Sequence, residues 1–393
     1  MTKLFSPRAA TFVRGHVKEI GSEMKSPKLA LVLLLSLLAG ACTTLASKEE
    51  TGYVIARRAE VRSSTAVVAA DLKEVVRGDE LDILGSTTVP DTGERWLHVQ
   101  TRDAQPIEGW IEARNLISQG MVERSRQLAR EDEGIPAQAS GQLRASTNIR
   151  FSPDRSGNDN ILMKLESGAK FDIVGWKRVP RPKSLESTES DDAPKAGAAD
   201  QSAAKRKQKE EPKEPEEVDE LWYKVRLPAS TSPAPAGWVF GKQVELTVPS
   251  DIIFYRTGRE FVAWQRLDGN EAGVQRPARS EKDEKEARPG SWVILEKSSD
   301  EENNGPDAPD FDRVFVLGYD KDRQEHYTAY RSPDLRGFLP LKVEGRGDSK
   351  IFTVRAQGGD GQLKELKFKA YTNERGLLKV EALTDLPKAG KPK

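Results

Sequence analysis

The chain has 393 residues with 62 basic against 62 acidic side chains, 36% hydrophobic and 32% charged, which describes a soluble chain of two or three domains rather than a membrane-spanning one. A zero formal charge supplies no field for nucleic acid, and no basic block is interleaved with aromatics, so nucleic acid is not an expected partner. One cysteine and three histidines remove the raw material for intrachain disulfides, CxxC zinc sites and most histidine-assisted nucleophiles. No cofactor or metal is expected, and no reaction is legible.

The apolar run Leu29 to Ala39 follows Lys25 and Lys28 and precedes Gly40, Ala41 and Cys42, the layout of a secretory signal too short to span a bilayer permanently. Leu38, Ala39, Gly40, Ala41 and Cys42 resemble the bacterial lipobox, with Ala39 standing where that family usually has leucine. The resemblance implies cleavage between Ala41 and Cys42 and fatty acylation, such as palmitate, on the Cys42 sulfur. Two or three acyl chains would hold the mature protein on its membrane, since each buried methylene contributes about 0.8 kcal/mol. Met24 opens a conventional signal peptide and is the expected start. Thr43, rather than aspartate, after the cysteine implies an outer-membrane anchor facing the periplasm. Residues 42 to 51 read as a lipidated polar tether.

A search for internal similarity finds two copies of one pattern. The first contains Glu60, Val61, Arg62, then Gly78 and the alternating Leu81 and Ile83, then Trp96, Leu97, His98, Val99, and finally Gly109, Trp110, Ile111. The second contains Asn148, Ile149, Arg150, then Gly168, Phe171, Ile173, then Trp222, Tyr223, Lys224, Val225, and finally Gly237, Trp238, Val239. The interval from first strand to glycine is 17 residues (Val61 to Gly78) and 19 (Ile149 to Gly168), and between tryptophans it is 14 and 16. The glycines suit a positive-φ turn, and the W-x-x-V and GW segments supply aromatic bulk. On that basis Trp96, Trp110, Trp222 and Trp238 are expected to fill barrel cores rather than stack on a ligand.

These anchors look like the bacterial SH3 module, over residues 52–118 and 142–246, with Glu60 replacing the asparagine that the second copy keeps at Asn148. The resemblance implies small barrels that bind cell-wall peptidoglycan or envelope proteins, or act as spacers, without catalysis. Residues 119–141 read as an exposed helical spacer ended by Gly134 and Pro136. Within the second copy, residues 178–219 form an insertion: the stretch from 181 to 217 holds eight basic, ten acidic and no aromatic side chains, the composition of a disordered loop. Its lysine- and glutamate-rich run and the P-x-x-P at Pro212 and Pro215 read as solvated linker.

From residue 252 to 385, eight short alternating runs with turn signals predict an antiparallel β sandwich or barrel. The fold class is therefore mainly β: two SH3-like barrels, a C-terminal β domain and a disordered insertion. His326, within the run His326 to Tyr330, is expected on a strand facing water. The acidic stretch Asp300, Glu301, Glu302, Asp307, Asp310, Asp312 lacks EF-hand spacing and reads as a solvated loop. Arg346, Gly347 and Asp348 read as a turn. The expected function is a non-catalytic envelope lipoprotein that binds peptidoglycan or an envelope protein. The alternative is a cell-wall hydrolase whose active site lies in the C-terminal domain, with the modules used for targeting.

Overall fold

A computed structural model describes residues 50–181, 219–256, 258–268, 289–298 and 308–387. Ala41, Cys42 and the rest of the signal region, residues 182–218 of the insertion, and the acidic residues from Asp300 to Asp307 lie outside the described residues. The protein is mainly β, built from antiparallel sheets, with one α-helix among the described residues. Among the described residues no helix is long and apolar enough to cross a membrane.

The first repeat comprises β1 (Glu50–Val54), β2 (Arg58–Arg62), β3 (Asp71–Val76), β4 (Glu80–Thr88), β5 (Arg95–Thr101), β6 (Glu108–Glu112) and β7 (Leu116–Ser118). The second comprises β8 (Ala139–Leu143), β9 (Thr147–Arg150), β10 (Ile161–Leu165), β11 (Lys170–Pro180), β12 (Asp219–Arg226), β13 (Ala236–Phe240) and β14 (Val244–Leu246). The two sheets have the same strand order, β3-β2-β6-β5-β4-β1-β7 and β10-β9-β13-β12-β11-β8-β14. Register agrees too. His98 faces Trp110 as Lys224 faces Trp238, and a bulge falls at Gly85 in one copy and Gly175 in the other. Gly78 and Gly168 both take positive φ, at 92° and 78°. The glycine before each second tryptophan has a packing reason. A Cβ on Gly109 would lie 2.6 Å from the Arg62 carbonyl oxygen, and one on Gly237 would lie 2.4 Å from Ile149 Cγ2. Strands β1 and β8 precede the anchors, so the second sheet begins at Ala139, inside the stretch expected to be spacer. The β11–β12 hairpin stays paired out to Pro180 opposite Asp219, where the insertion departs.

Helix α1 (Gln119–Glu131) forms where expected but is not an exposed spacer. Val122 and Ser125 are fully buried, and Val122 belongs to the apolar core of the second repeat. A 13-residue helix is marginal alone, so this packing is what holds it.

The C-terminal region is a sandwich of two four-stranded meanders. One sheet holds β15 (Arg259–Arg266), β16 (Trp292–Ser298), β17 (Arg313–Asp320) and β18 (Glu325–Arg331). The other holds β19 (Gly337–Glu344), β20 (Ser349–Gln357), β21 (Leu363–Thr372) and β22 (Leu378–Ala382). The runs SWVIL and RVFVL lack a polar face because the first sheet is covered on both sides. Ala263, Val293, Leu295, Val314 and Val316 pack on Leu341, Phe352, Val354 and Phe368 of the second sheet. Phe261, Trp264, Trp292, Ile294, Phe315 and Leu317 join the core of the second repeat. Period-two alternation delivers the two sets to opposite faces. The first repeat keeps its own core of Val54, Val61, Val75, Leu81, Val99 and Ile111.

Burial of charge in this sandwich has a consequence for stability. Burial, reinforced by Arg178, pushes the Lys297 ammonium down from 10.5 to about 8. Between those values the unfolded chain binds a proton that the folded chain does not, so stability rises with pH. Denaturant midpoints taken at pH 8 and 9.5 should show a gain of about 2 kcal/mol. The gain should vanish in Lys297→Met, and a flat profile for the unmodified chain would refute this account.

Candidate functional site

Successive strand residues point to opposite faces, so a tryptophan and a valine three positions apart cannot share one core. Val99 and Ile111 line the core of the first repeat, and Val225 and Val239 that of the second. Trp96, His98 and Trp110 therefore project from the other face, as do Trp222, Lys224 and Trp238. The expectation that the four tryptophans fill the barrel cores is corrected in part: Trp96 and Trp222 are buried, though outside the main apolar clusters, while Trp110 and Trp238 are only half-buried.

In the first repeat, Arg62 lies beside Trp110 in the sheet, and its guanidinium carbon sits 5.9 Å from the centre of the Trp96 ring. Its Nη2 donates to the carbonyls of Val67 (2.8 Å) and Ala69 (3.1 Å), fixing the loop after β2. The His98 ring stacks on Trp110 with centroids 4.7 Å apart and planes 25° apart, and His98 Nε2 lies 3.0 Å from the Glu108 carboxylate. Glu112 pairs with Arg114. Trp96 is 4% exposed, and its indole Nε1–H has no hydrogen-bond partner. His98 and Glu108 remain accessible, with side chains 29% and 55% exposed.

The second repeat builds the same face differently. Arg150 occupies the place of Arg62 and donates to the Gly157 carbonyl at 2.6 Å. Trp222, buried and with its own indole N–H unpartnered, packs on Phe240, over which Arg155 lies at 4.7 Å while pairing with Glu220 at 2.6 Å. Lys224 Nζ lies 2.7 Å from Glu131 and 2.6 Å from Asp132, both at the end of α1. The Ser125 hydroxyl donates to the Ala236 carbonyl (2.6 Å) and accepts from the Ala236 N–H (2.9 Å). The face open in the first repeat is thus covered by the chain's own helix in the second.

The remaining sequence candidates serve the fold. His326 does not face water. Its side chain is 6% exposed, its Nε2 lies 2.8 Å from the Gly290 carbonyl and 3.8 Å from Asp251, and Tyr255 and Tyr319 flank the ring. Asp251 also accepts from the Trp292 Nε1–H at 2.9 Å, which pins the segment leaving the second repeat onto the sandwich. Asp310 accepts from Trp176 Nε1–H (2.6 Å) and the Leu339 N–H (2.9 Å). Asp312 accepts from the Ser298 N–H (2.7 Å) and pairs with Arg259. Both carboxylates hold chain together instead of standing in solvent. Among the described residues no three His, Cys, Asp or Glu side chains gather as a metal site. Arg346, Gly347 and Asp348 form the exposed turn between β19 and β20, with Gly347 at φ 68°.

No family model matches the chain. No curated protein matches it either. Among solved structures it is similar to "Structure of NlpC1 from Trichomonas vaginalis", with 8% identity, 86% of this chain and 94% of that one covered, and a TM-score of 0.15. It is similar to the same degree to "Structure of NlpC2 from Trichomonas vaginalis", with the same identity and coverage and a TM-score of 0.14. An overlap that small carries no argument about fold or chemistry.

Proposed function

We propose that this chain is a non-catalytic lipoprotein of the cell envelope. Acyl chains on Cys42 anchor it, with the outer membrane facing the periplasm as its site, and its SH3-like repeats bind peptidoglycan or an envelope protein. The observation that carries this reading is the duplicated outer face, on which half-buried Trp110 and Trp238 stand at matching positions beside the buried Trp96 and Trp222. A half-buried tryptophan beside an arginine that fixes a neighbouring loop, Trp110 by Arg62 and Trp238 by Arg150, is the furnishing of a recognition surface. The lipobox-like residues from Leu38 to Cys42 supply the anchor.

Mass spectrometry of the native N-terminal peptide tests the anchor: a diacylglyceryl-modified Cys42 at the first position is expected, and Cys42→Ser should release the protein from membranes. An unmodified Cys42 inside a longer native chain would sink the lipoprotein reading. Incubation with purified cell-wall sacculi tests the rest. Retention without release of soluble fragments is expected, while release would favour the hydrolase.

A further inference from the structure

We propose that the outer face of the first repeat docks a helical segment of an envelope protein, one that is basic where α1 is acidic. This deepens the reading above by choosing the partner class for one of the two faces, and it rests on that reading.

The argument begins with the second repeat, whose equivalent face holds a helix. There α1 presents Ser125 to the backbone of Ala236, Glu131 and Asp132 to Lys224, and Arg124 over the Phe151 ring at 3.8 Å. Arg226 adds bonds to the carbonyls of Asp132 (3.2 Å) and Ile135 (3.3 Å). The contact is matched in charge. The described part of the second repeat, residues 139–181 and 219–248, has eleven basic against seven acidic side chains, net plus four, and it receives the acidic end of the helix.

Strand register carries each of these contacts onto the first repeat. Ala236 corresponds to Glu108, Lys224 to His98, Arg226 to Gln100 and Phe240 to Glu112. Residues 50–118 hold eight basic and twelve acidic side chains, net minus four. The sheet geometry is kept while the sign of the rim is reversed. Helix α1 does not cover this copy of the face, because it lies against β1 and β7 of the first repeat instead. A segment with lysine or arginine in place of Glu131 and Asp132 would arrive at His98 and meet the Glu108 carboxylate beside it, and its apolar side would rest on the His98–Trp110 stack. Complementary rim charge sets which partner binds and how fast more than how tightly, so the preference should be sharp and salt-sensitive.

The test titrates the full chain in detergent against a labelled synthetic peptide spanning residues 118–135 with Glu131 and Asp132 both replaced by lysine, alongside the unaltered peptide. Saturable binding of the lysine peptide is expected, at least about tenfold tighter than that of the unaltered one. Glu108→Lys should reverse the order of the two peptides, and Trp110→Ala should weaken both. Glu108 lies on the surface, so the first variant folds whether or not Trp110→Ala does, and circular dichroism checks each. Equal affinity for the two peptides, no binding of either, or insensitivity to Glu108→Lys would overturn the proposal. Soluble muropeptides form a third arm. If they bind this face with loss in Trp110→Ala while the lysine peptide does not, helix docking falls and the envelope reading stands. An unmodified Cys42 would instead remove the envelope reading without touching the peptide result.

Discussion

Removing residues 250–393 should leave the first repeat folded and unfold the second. The core of the second repeat is completed by Phe261, Trp264, Trp292, Ile294, Phe315 and Leu317 from the sandwich, together with Ile252. Burying side chains of this size contributes about 1.5–3 kcal/mol each, so the set amounts to about 10–20 kcal/mol, at least the whole stability of a small domain. The first repeat has a separate core, joined to the rest through Ile117 and the packing of Tyr53 and Ile55. Hydrogen exchange on a 50–249 fragment should therefore show protection in residues 50–118 and little in 139–248. Native-like protection in both repeats would show that the sandwich is dispensable. The same reasoning makes the second repeat, the sandwich and α1 one cooperative unit in the intact chain.

Gln138 should be the most sensitive polar position. It is fully buried, and its carboxamide meets Leu341 as a neighbouring peptide unit would. Oε1 accepts from the Leu341 N–H at 2.6 Å, while Nε2 donates to the Leu341 carbonyl at 3.0 Å and to that of Pro136 at 2.8 Å. Gln265 Nε2 reaches the same Leu341 carbonyl at 2.8 Å, and the Trp264 N–H donates to the Gln138 backbone carbonyl at 2.9 Å, so the Gln138 side chain ties the approach to β8 to β19 while its backbone ties it to β15. Gln138→Ala removes the three side-chain bonds to Leu341 and Pro136 and orphans the buried Leu341 N–H, at a cost of about 3 kcal/mol. Gln138→Glu should be at least as damaging, since a carboxylate brings an uncompensated charge and no donor for Leu341. The control is Gln142→Ala, at a surface pair with Glu245, which should stay within about 0.5 kcal/mol. Denaturant midpoints with unchanged slopes would check all three, and a Gln138→Ala midpoint near that of the control would refute the joint.

Each of the eight C-terminal strands coincides with an expected run: the strands of the second sheet alternate because that sheet has one buried face, and β16 and β17 read as continuous apolar runs because both of their faces are covered. The repeat was legible for a similar reason. Gly78, Gly168, Gly109 and Gly237 stand where the backbone needs a positive φ or a close approach, so they recur at matching intervals. The candidate site was partly legible as well. The three-residue step from Trp96 to Val99, and from Trp222 to Val225, already places each tryptophan on the face opposite its valine, although both tryptophans are buried there. The exposed reading of α1 failed because its buried face is small and includes a hydroxyl: Ser125 counts as polar in any hydrophobic pattern, yet it satisfies both backbone groups of Ala236. His326 was misplaced for a related reason. Its covering groups, Asp251, Tyr255 and Gly290, come from segments far apart in the chain.

The sequence by itself determined the local grammar of this protein: where strands run, where glycine turns them, that one unit occurs twice, and that a lone cysteine follows the apolar run near the start. Tertiary structure alone decided which of two like faces is open and which is filled by α1, and that the sandwich, from Phe261 onward, finishes a core begun at Ala139. Strand propensity and alternation act between near neighbours, so they are written in consecutive residues. What covers a face depends on which remote segment fits it in shape and charge, and no window of sequence contains both partners.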